Sequence, residues 1–334
     1  LGGIVGPVAI VTDTNIGPRY ARSCGPVDTV IEVSPGQQHK TLATVQHICG
    51  QLIELGFDRR GTIIGLGGSV ISGLAGFVAA TYMRGVDLVH CPTSLLAMID
   101  TSIGGKVGIN LPQGKNLIGA FKQPKAVIAD VATLQSLSPS EFASGMAEVI
   151  KHGLIGGGDL FEKIKNGSWK WDTWPQQPPL AVLQDLVAQA IQVKIQIVQE
   201  DPFDEGRRAV LNLGHTFAHA IEHASDHRLS HGEAVAMGLV AAANLSTREG
   251  HCPDDLQATV ETMLTDAGLP CRIPAIAPPA DILNAMQRDK KRRGERLRMI
   301  LLRNVGDVFV AESVSRSAIR ETLVELNGQN RPEQ

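Results

Sequence analysis

The stretch Thr62-Ile63-Ile64-Gly65-Leu66-Gly67-Gly68-Ser69-Val70-Ile71 reads as a strand, a glycine turn and the start of a helix. Its β-branched and leucine side chains suit a fully buried strand, and the glycines allow a tight passage into the helix. Backbone amides at such a helix N-terminus can hold a phosphate, as a dinucleotide pyrophosphate requires. The spacing is not GxGxxG, and a tight strand-to-helix turn occurs in any α/β protein. The motif alone therefore leaves phosphate binding and a plain turn equally open.

Outward from this turn, apolar runs at 8–11, 62–64 and 86–90 alternate with helical patterns at 41–55 and 74–83. That rhythm predicts an α/β domain with a largely parallel sheet over residues 1–138. From residue 139 the pattern changes to long helical segments at 139–154, 180–199, 207–223, 232–249 and 254–267. A mostly α-helical second domain, 139–334, is expected. Within it, 156–158 and 166–179, with Trp169, Trp171 and Trp174, read as loop. A small hairpin over 297–302 and 308–310 and a last helix over 315–326 close the chain.

Composition narrows the partners. The 334 residues fit two domains, and 31 basic against 34 acidic residues give a net charge of -3, with no field to gather nucleic acid or an anionic membrane. Small molecules are the expected partners. Five cysteines at scattered positions, without CxxC, suggest neither a disulfide framework nor a cysteine zinc site and fit a reducing cytoplasm. No signal peptide or membrane-spanning helix is read, the longest apolar stretches, such as 234–245, being shorter than a bilayer span.

Between Pro92 and Phe121 lies a polar tract with Thr93, Ser94, Asp100, Thr101, Ser102, Lys106, Asn110, Lys115 and Asn116 among glycines. Glycine beside lysine lets backbone and ammonium approach an anion together; the competing reading is an exposed loop of solvated lysines. Farther on, His215, His219 and His223 fall four apart on one helical face, and His231 stands at another helix start. Imidazoles so spaced, with a carboxylate from elsewhere, suit a catalytic zinc with an open position, whereas each histidine alone could be a hydrogen-bonded core residue. Glu148 is a candidate carboxylate, and it shares a face with Lys151, so a surface ion pair is the alternative.

The segments Val11-Thr12-Asp13-Thr14-Asn15, Leu74-Ala75-Gly76-Phe77, Pro92-Thr93-Ser94-Leu95-Leu96-Ala97-Met98-Ile99-Asp100, Gly104-Gly105-Lys106, Gly114-Lys115-Asn116, Gly145 to Lys151, Leu211 to Glu222 and His231-Gly232-Glu233-Ala234-Val235, in this order, closely resemble the 3-dehydroquinate synthase family of sugar-phosphate cyclases. The resemblance implies an NAD-binding α/β domain, a helical metal-binding domain with Zn2+ or Co2+, usually a homodimer, and conversion of 3-deoxy-D-arabino-heptulosonate 7-phosphate into 3-dehydroquinate and phosphate. By the family mechanism, oxidation and later reduction by one NAD bracket the loss of phosphate, and an aldol step closes the ring, so that no cofactor is consumed.

Carried over motif by motif, the resemblance assigns the metal to Glu148, His215 and His231, leaving His219 as a substrate contact and His223 without a role. Substrate would meet Arg84, Asp100, Lys106, Asn116, Lys151, Lys194, Arg208, Asn212 and Lys290. NAD would lie along Asp13, Asn15, Lys40, Gly68, Ser69, Thr93, Ser94, Asp100, Thr101, Lys106, Lys115, Ser136 and Glu141. Three positions depart from the family pattern, all on the NAD side: Ser69 for a glycine, Gly73 for an aspartate and Gln37 for a glutamate. Weak NAD binding is therefore expected, to be tightened by Gly73→Asp. The chain also begins almost at its first nucleotide-binding strand, so the family's usual N-terminal strand is expected to be absent or trimmed. Rival readings are a cyclase of another substrate, such as 2-deoxy-scyllo-inosose or 2-epi-5-epi-valiolone synthase, a polyol dehydrogenase of the glycerol dehydrogenase type, or a degenerate, non-catalytic member. Lys194, Arg208, Asn212 and His219 match the pattern for an acidic substrate, a dehydrogenase would accumulate NADH, and a degenerate member would release no phosphate.

Overall fold

The computed structural model describes residues 6–167, 169, 178–290 and 297–327, and for 287–290 the backbone. The chain forms two compact units, Leu1–Leu137 and Ser138–Gln334.

In the first unit, β1 (Val8–Asp13), β2 (Thr29–Val33), β3 (Thr62–Gly67), β4 (Asp87–Pro92) and β7 (Ala126–Val127) form a parallel sheet in the order β2-β1-β3-β4-β7. Alternation along the strands divides the core. Ala9, Val11, Ile31, Ile63 and Leu88 face helices α2 (Leu42–Glu54) and α3 (Ser69–Thr81), while Ile10, Ile64, Leu66 and Val89 pack beneath a short helix α1 (Gly17–Tyr20) and the turn after it. The polar tract is not a loop of solvated lysines. It contains an antiparallel hairpin, β5 (Lys106–Leu111) with β6 (Gly114–Phe121), whose Val107 and Ile109 join the core beside α3. One buried face suffices to hold such a strand, and the lysines occupy the other.

The second unit is mostly helical: α4 (Pro139–Gly156), α5 (Gly158–Asn166), α6 (Leu180–Glu200), α7 (His215–Ala224), α8 (His231–Arg248), α9 (Leu256–Asp266), α10 (Pro279–Lys290) and α11 (Arg316–Glu325), with a hairpin of β8 (Met299–Asn304) and β9 (Asp307–Ala311). Helix α8 is buried continuously from Ala234 to Ser246 and packs against α4, α7, α9, α11 and β8, which explains its unbroken apolar sequence. Two sequence expectations change here. The segment 207–223 is not one helix: a 3-10 turn over Arg207–Asn212 ends before Gly214, which is left-handed (φ 77°), and α7 starts afresh at His215. The glycines at 156–158 end α4 and begin α5, which fills the stretch between the two expected loops, whereas Trp171 and Trp174 lie outside the described residues. Helix α6 has the length and hydropathy of a membrane span, yet Leu183, Leu186, Val187, Ala190, Lys194, Ile197 and Val198 are buried at helical spacing and α6 packs on α4, as a core helix does.

Candidate active site

Two close backbone approaches bring the metal candidates together in the second unit. At the start of α8, the Gly232 amide donates to Ser144 Oγ (3.1 Å), and a Cβ on Gly232 would fall 2.2 Å from Ser144 Cα, so only glycine lets α8 begin against α4. A Cβ on Gly238 would lie 2.3 Å from the Gly214 carbonyl oxygen, which locks the start of α7 against the middle of α8. His231 is the first residue of α8, His215 the first of α7, and Glu148 lies one turn beyond Ser144 on α4. As a result, one ligand atom from each of Glu148, His215 and His231 lies within 4.8 Å of the others.

The charges there are unusual for an interior. Glu148 is fully buried, and neither of its oxygens finds a hydrogen-bond partner of good geometry. Its Oε2 is in ion-pair contact with the Lys151 ammonium, itself buried, and its Oε1 lies 3.3 Å from His215 Nε2 and 3.5 Å from His231 Nε2. The pair three residues apart is thus an interior one. Burial alone would push the Glu148 carboxyl up; the Lys151 charge, then His215 and His231, outweigh it and hold it well below the usual carboxylate range. Burial likewise opposes charge on His231, but the Glu148 and Glu222 carboxylates raise it to about 9. One carboxylate and two imidazole nitrogens make a fitting donor set for a zinc-like cation, and three protein ligands leave coordination open for other oxygens. His219 stands next in line, its ring 5.5 Å from that of His215, and is exposed; His223, a further turn along, is exposed too and belongs to no cluster of donors among the described residues.

Two more cations are buried in this unit, Lys194 on α6 and Arg208 on the 3-10 turn, and α4, α6 and that turn pack on one another. Arg208 donates from Nη1 to the Pro202 carbonyl (2.8 Å), and its amide donates to Asp201 (2.9 Å), so the guanidinium is held rigidly at its base. Asn212 is exposed, and the Lys290 side chain lies outside the described residues.

In the first unit, the nucleotide candidates gather at the carboxyl ends of adjacent strands. Gly67 and Gly68 end β3, Ser69 opens α3, and the Thr93 amide donates to the Gly67 carbonyl (3.0 Å) with Ser94 beside Gly68. Asp13, at the end of β1, accepts from the Asn15 and Ile16 amides. Lys40, buried, donates to Asn116 Oδ1 (2.7 Å), and burial followed by the neighbouring Lys115 pushes its ammonium down to about 8. Asn110 ties the group together, accepting from the Asn116 amide and donating to Gln37. Asp100 and Thr101 are half-buried just before the hairpin, whose first residue, Lys106, is exposed. Arg84 is exposed on a left-handed turn (φ 67°) after α3. Ser136 accepts from the Tyr20 hydroxyl (2.8 Å). Glu141 belongs to the second unit, where its amide and carboxylate meet Ser138 in the N-cap of α4. At Gly73, a Cβ would stand 2.5 Å from Lys40 Cε and Nζ, so an aspartate there would meet that ammonium first.

Comparison with known proteins accords with both halves. The family model described as 3-dehydroquinate synthase N-terminal matches residues 30–144, and the one described as 3-dehydroquinate synthase C-terminal matches 145–292. The 3-dehydroquinate synthase of Acidithiobacillus ferrooxidans is 43% identical over 326 residues, covering 95% of this chain and 88% of that one. The chain belongs to the 3-dehydroquinate synthase family. Among solved structures of related cyclases, 2-deoxy-scyllo-inosose synthase, complexed with carbaglucose-6-phosphate, NAD+ and Co2+, is 28% identical with a TM-score of 0.85, covering 96% of this chain and 91% of that one. The 2-epi-5-epi-valiolone synthase from Streptomyces hygroscopicus, with NAD+ and Zn2+ bound, shares the fold at 23% identity and a TM-score of 0.87, with the same coverage.

Two residues of this family member escaped the sequence reading of its sites. Asn110 was one polar residue of a tract, and only the hairpin register aims it at Gln37 and Asn116. Glu222, buried beside His231, was legible in principle: it stands seven residues after His215, on the same helical face.

Proposed function

We propose that this chain is a 3-dehydroquinate synthase, converting 3-deoxy-D-arabino-heptulosonate 7-phosphate into 3-dehydroquinate and phosphate in the shikimate pathway. The observation that carries this reading is the 43% identity to such a synthase along nearly the whole chain, against 28% to the inosose-forming cyclase. We assign a divalent cation, Zn2+ or Co2+, to Glu148, His215 and His231, supported by their convergence and by the complete burial of the Glu148 carboxylate beside the two imidazoles. NAD is assigned to the turn at Gly68 and Ser69, to Asp13, Thr93 and Ser94, and to Lys40 and Lys115. When bound, NAD supplies a hydride acceptor that is regenerated within the cycle, and the cation supplies Lewis-acid polarisation of substrate oxygens.

The protein's own groups select and orient the substrate. Lys194 and Arg208 are both buried in the second unit, on elements that pack on each other. We assign Lys194 and Arg208 to the substrate carboxylate, because a rigid guanidinium with an ammonium favours an acid over a neutral sugar. Arg208→Ala should raise KM for the acidic substrate at least about tenfold while zinc content stays unchanged, as expected for loss of a charge-assisted hydrogen bond. Unchanged KM would move the carboxylate elsewhere. We further propose a homodimer in the cytoplasm, the latter consistent with five free cysteines.

The deciding assay follows phosphate release from the heptulosonate phosphate with NAD and zinc while monitoring NADH absorbance. Phosphate equal to 3-dehydroquinate, with no lasting NADH, is the expected result. NADH accumulating with product would make the chain a dehydrogenase, and metal-loaded, folded protein that releases no phosphate would make it a non-catalytic member.

A further inference from the structure

A histidine that binds a cation through one ring nitrogen carries its proton on the other, and that N–H requires an acceptor. Both imidazoles of the cluster turn Nε2 toward Glu148 and leave Nδ1 on the far side. At His215 the acceptor is backbone: Nδ1 lies 3.2 Å from the Leu213 carbonyl, and a carbonyl can only accept. At His231 it is a side chain, Glu222, whose Oε1 lies 3.3 Å from Nδ1. The carboxylate is only 4% exposed, a costly placement for a negative charge that nothing in helix formation demands. Helix α7 supplies both contacts, since Glu222 falls seven residues after His215 and so on the same face. His231 begins α8 directly after its N-cap, where the backbone leaves the ring direction to its hydrogen-bond partners.

We infer that Glu222 is a positioning residue for the metal centre: it accepts the Nδ1–H of His231, fixes that tautomer, and aims Nε2 at the point shared with Glu148 and His215. The inference rests on the assignment of a cation to those three residues. A carboxylate acceptor also makes the ring a stronger donor than a neutral acceptor would.

The test uses the whole chain, stripped of metal and titrated with Zn2+ against a chromophoric chelator, together with the visible absorption band of the Co2+-loaded protein. Wild type should take up one equivalent. Glu222→Ala should bind Zn2+ about 10- to 100-fold more weakly, the usual effect of losing such an outer partner, and its Co2+ band should change. Glu222→Gln keeps the volume and a neutral acceptor oxygen, and should fall between the two. A Gln variant with wild-type affinity and an unaltered Co2+ band overturns the inference, even if the Ala variant fails to fold. Wild-type protein that takes up no Zn2+ would overturn the cation assignment itself, a result distinct from equal binding by wild type and variants.

Discussion

At the carboxyl end of the parallel sheet, the candidate nucleotide site is made largely of backbone: the Gly67–Gly68 turn, the start of α3 and the Thr93 amide, with one buried lysine. The cluster in the helical unit is made of side chains instead, a buried glutamate, two histidines and a buried lysine delivered by three helices. Tolerance to substitution differs accordingly. A backbone site keeps its amides whatever side chain replaces another, so Ser69, Gln37 and Gly73 can depart from the family pattern while the turn persists. A cluster of buried charges has less slack, because its groups compensate one another.

The contrast breaks if Glu148→Ala is mild. That change strips Lys151 of the carboxylate it pairs with, and an uncompensated buried charge typically costs about 3 to 5 kcal/mol. Stoichiometric metal and activity should vanish together, and urea denaturation should show the loss of stability. Retained metal with unchanged stability would mean that the three ligands are not the centre of this unit.

The nucleotide end is sharpened by Lys40. Its folded value of about 8 lies below the ordinary 10.5, so between those limits the unfolded chain holds the extra proton and stability rises with pH. Below about pH 8 the whole cost is present, up to about 3 kcal/mol. Lys40→Met should stabilise the apo protein at neutral pH and flatten this rise, while weakening NAD; urea midpoints from pH 7 to 10 and an NAD titration check both. Gly73→Asp should also flatten the rise, because the new carboxylate meets the Lys40 ammonium. That outcome replaces the tightening of NAD expected from the sequence, and a tenfold gain in NAD affinity would restore the older expectation.

The smallest effect concerns a helix start. Ser230 and Glu233 form a capping box at α8, one residue before and two after His231. Ser230→Ala should cost about 1 kcal/mol, a shift of a few degrees in Tm, without removing the metal. Loss of metal would show that the cap aims His231 as well as stabilising the helix.

Much of this molecule was legible before any coordinates. Buried strands of β-branched residues, the glycine turn, the apolar run of α8 and the spacing of Glu148 and Lys151 are local patterns, and local sterics and periodicity produce them in any context. The break at Gly214 was not, since glycine in a helical pattern is usually only a mild penalty; it became a boundary because α8 approaches too closely for any side chain. The hairpin β5–β6 was hidden for the opposite reason, its lysines and glycines masking a strand face whose Val107 and Ile109 find a core only once α3 is in place.

The order of residues establishes the kinds of groups present and, through their family pattern, which of them belong together. Folding is what sets Lys40 in the space over Gly73, makes the Glu148–Lys151 pair interior and stands Glu222 behind His231. These are contacts between residues distant in sequence or measures of burial, and the energy of a charge depends on what surrounds it rather than on its neighbours along the chain.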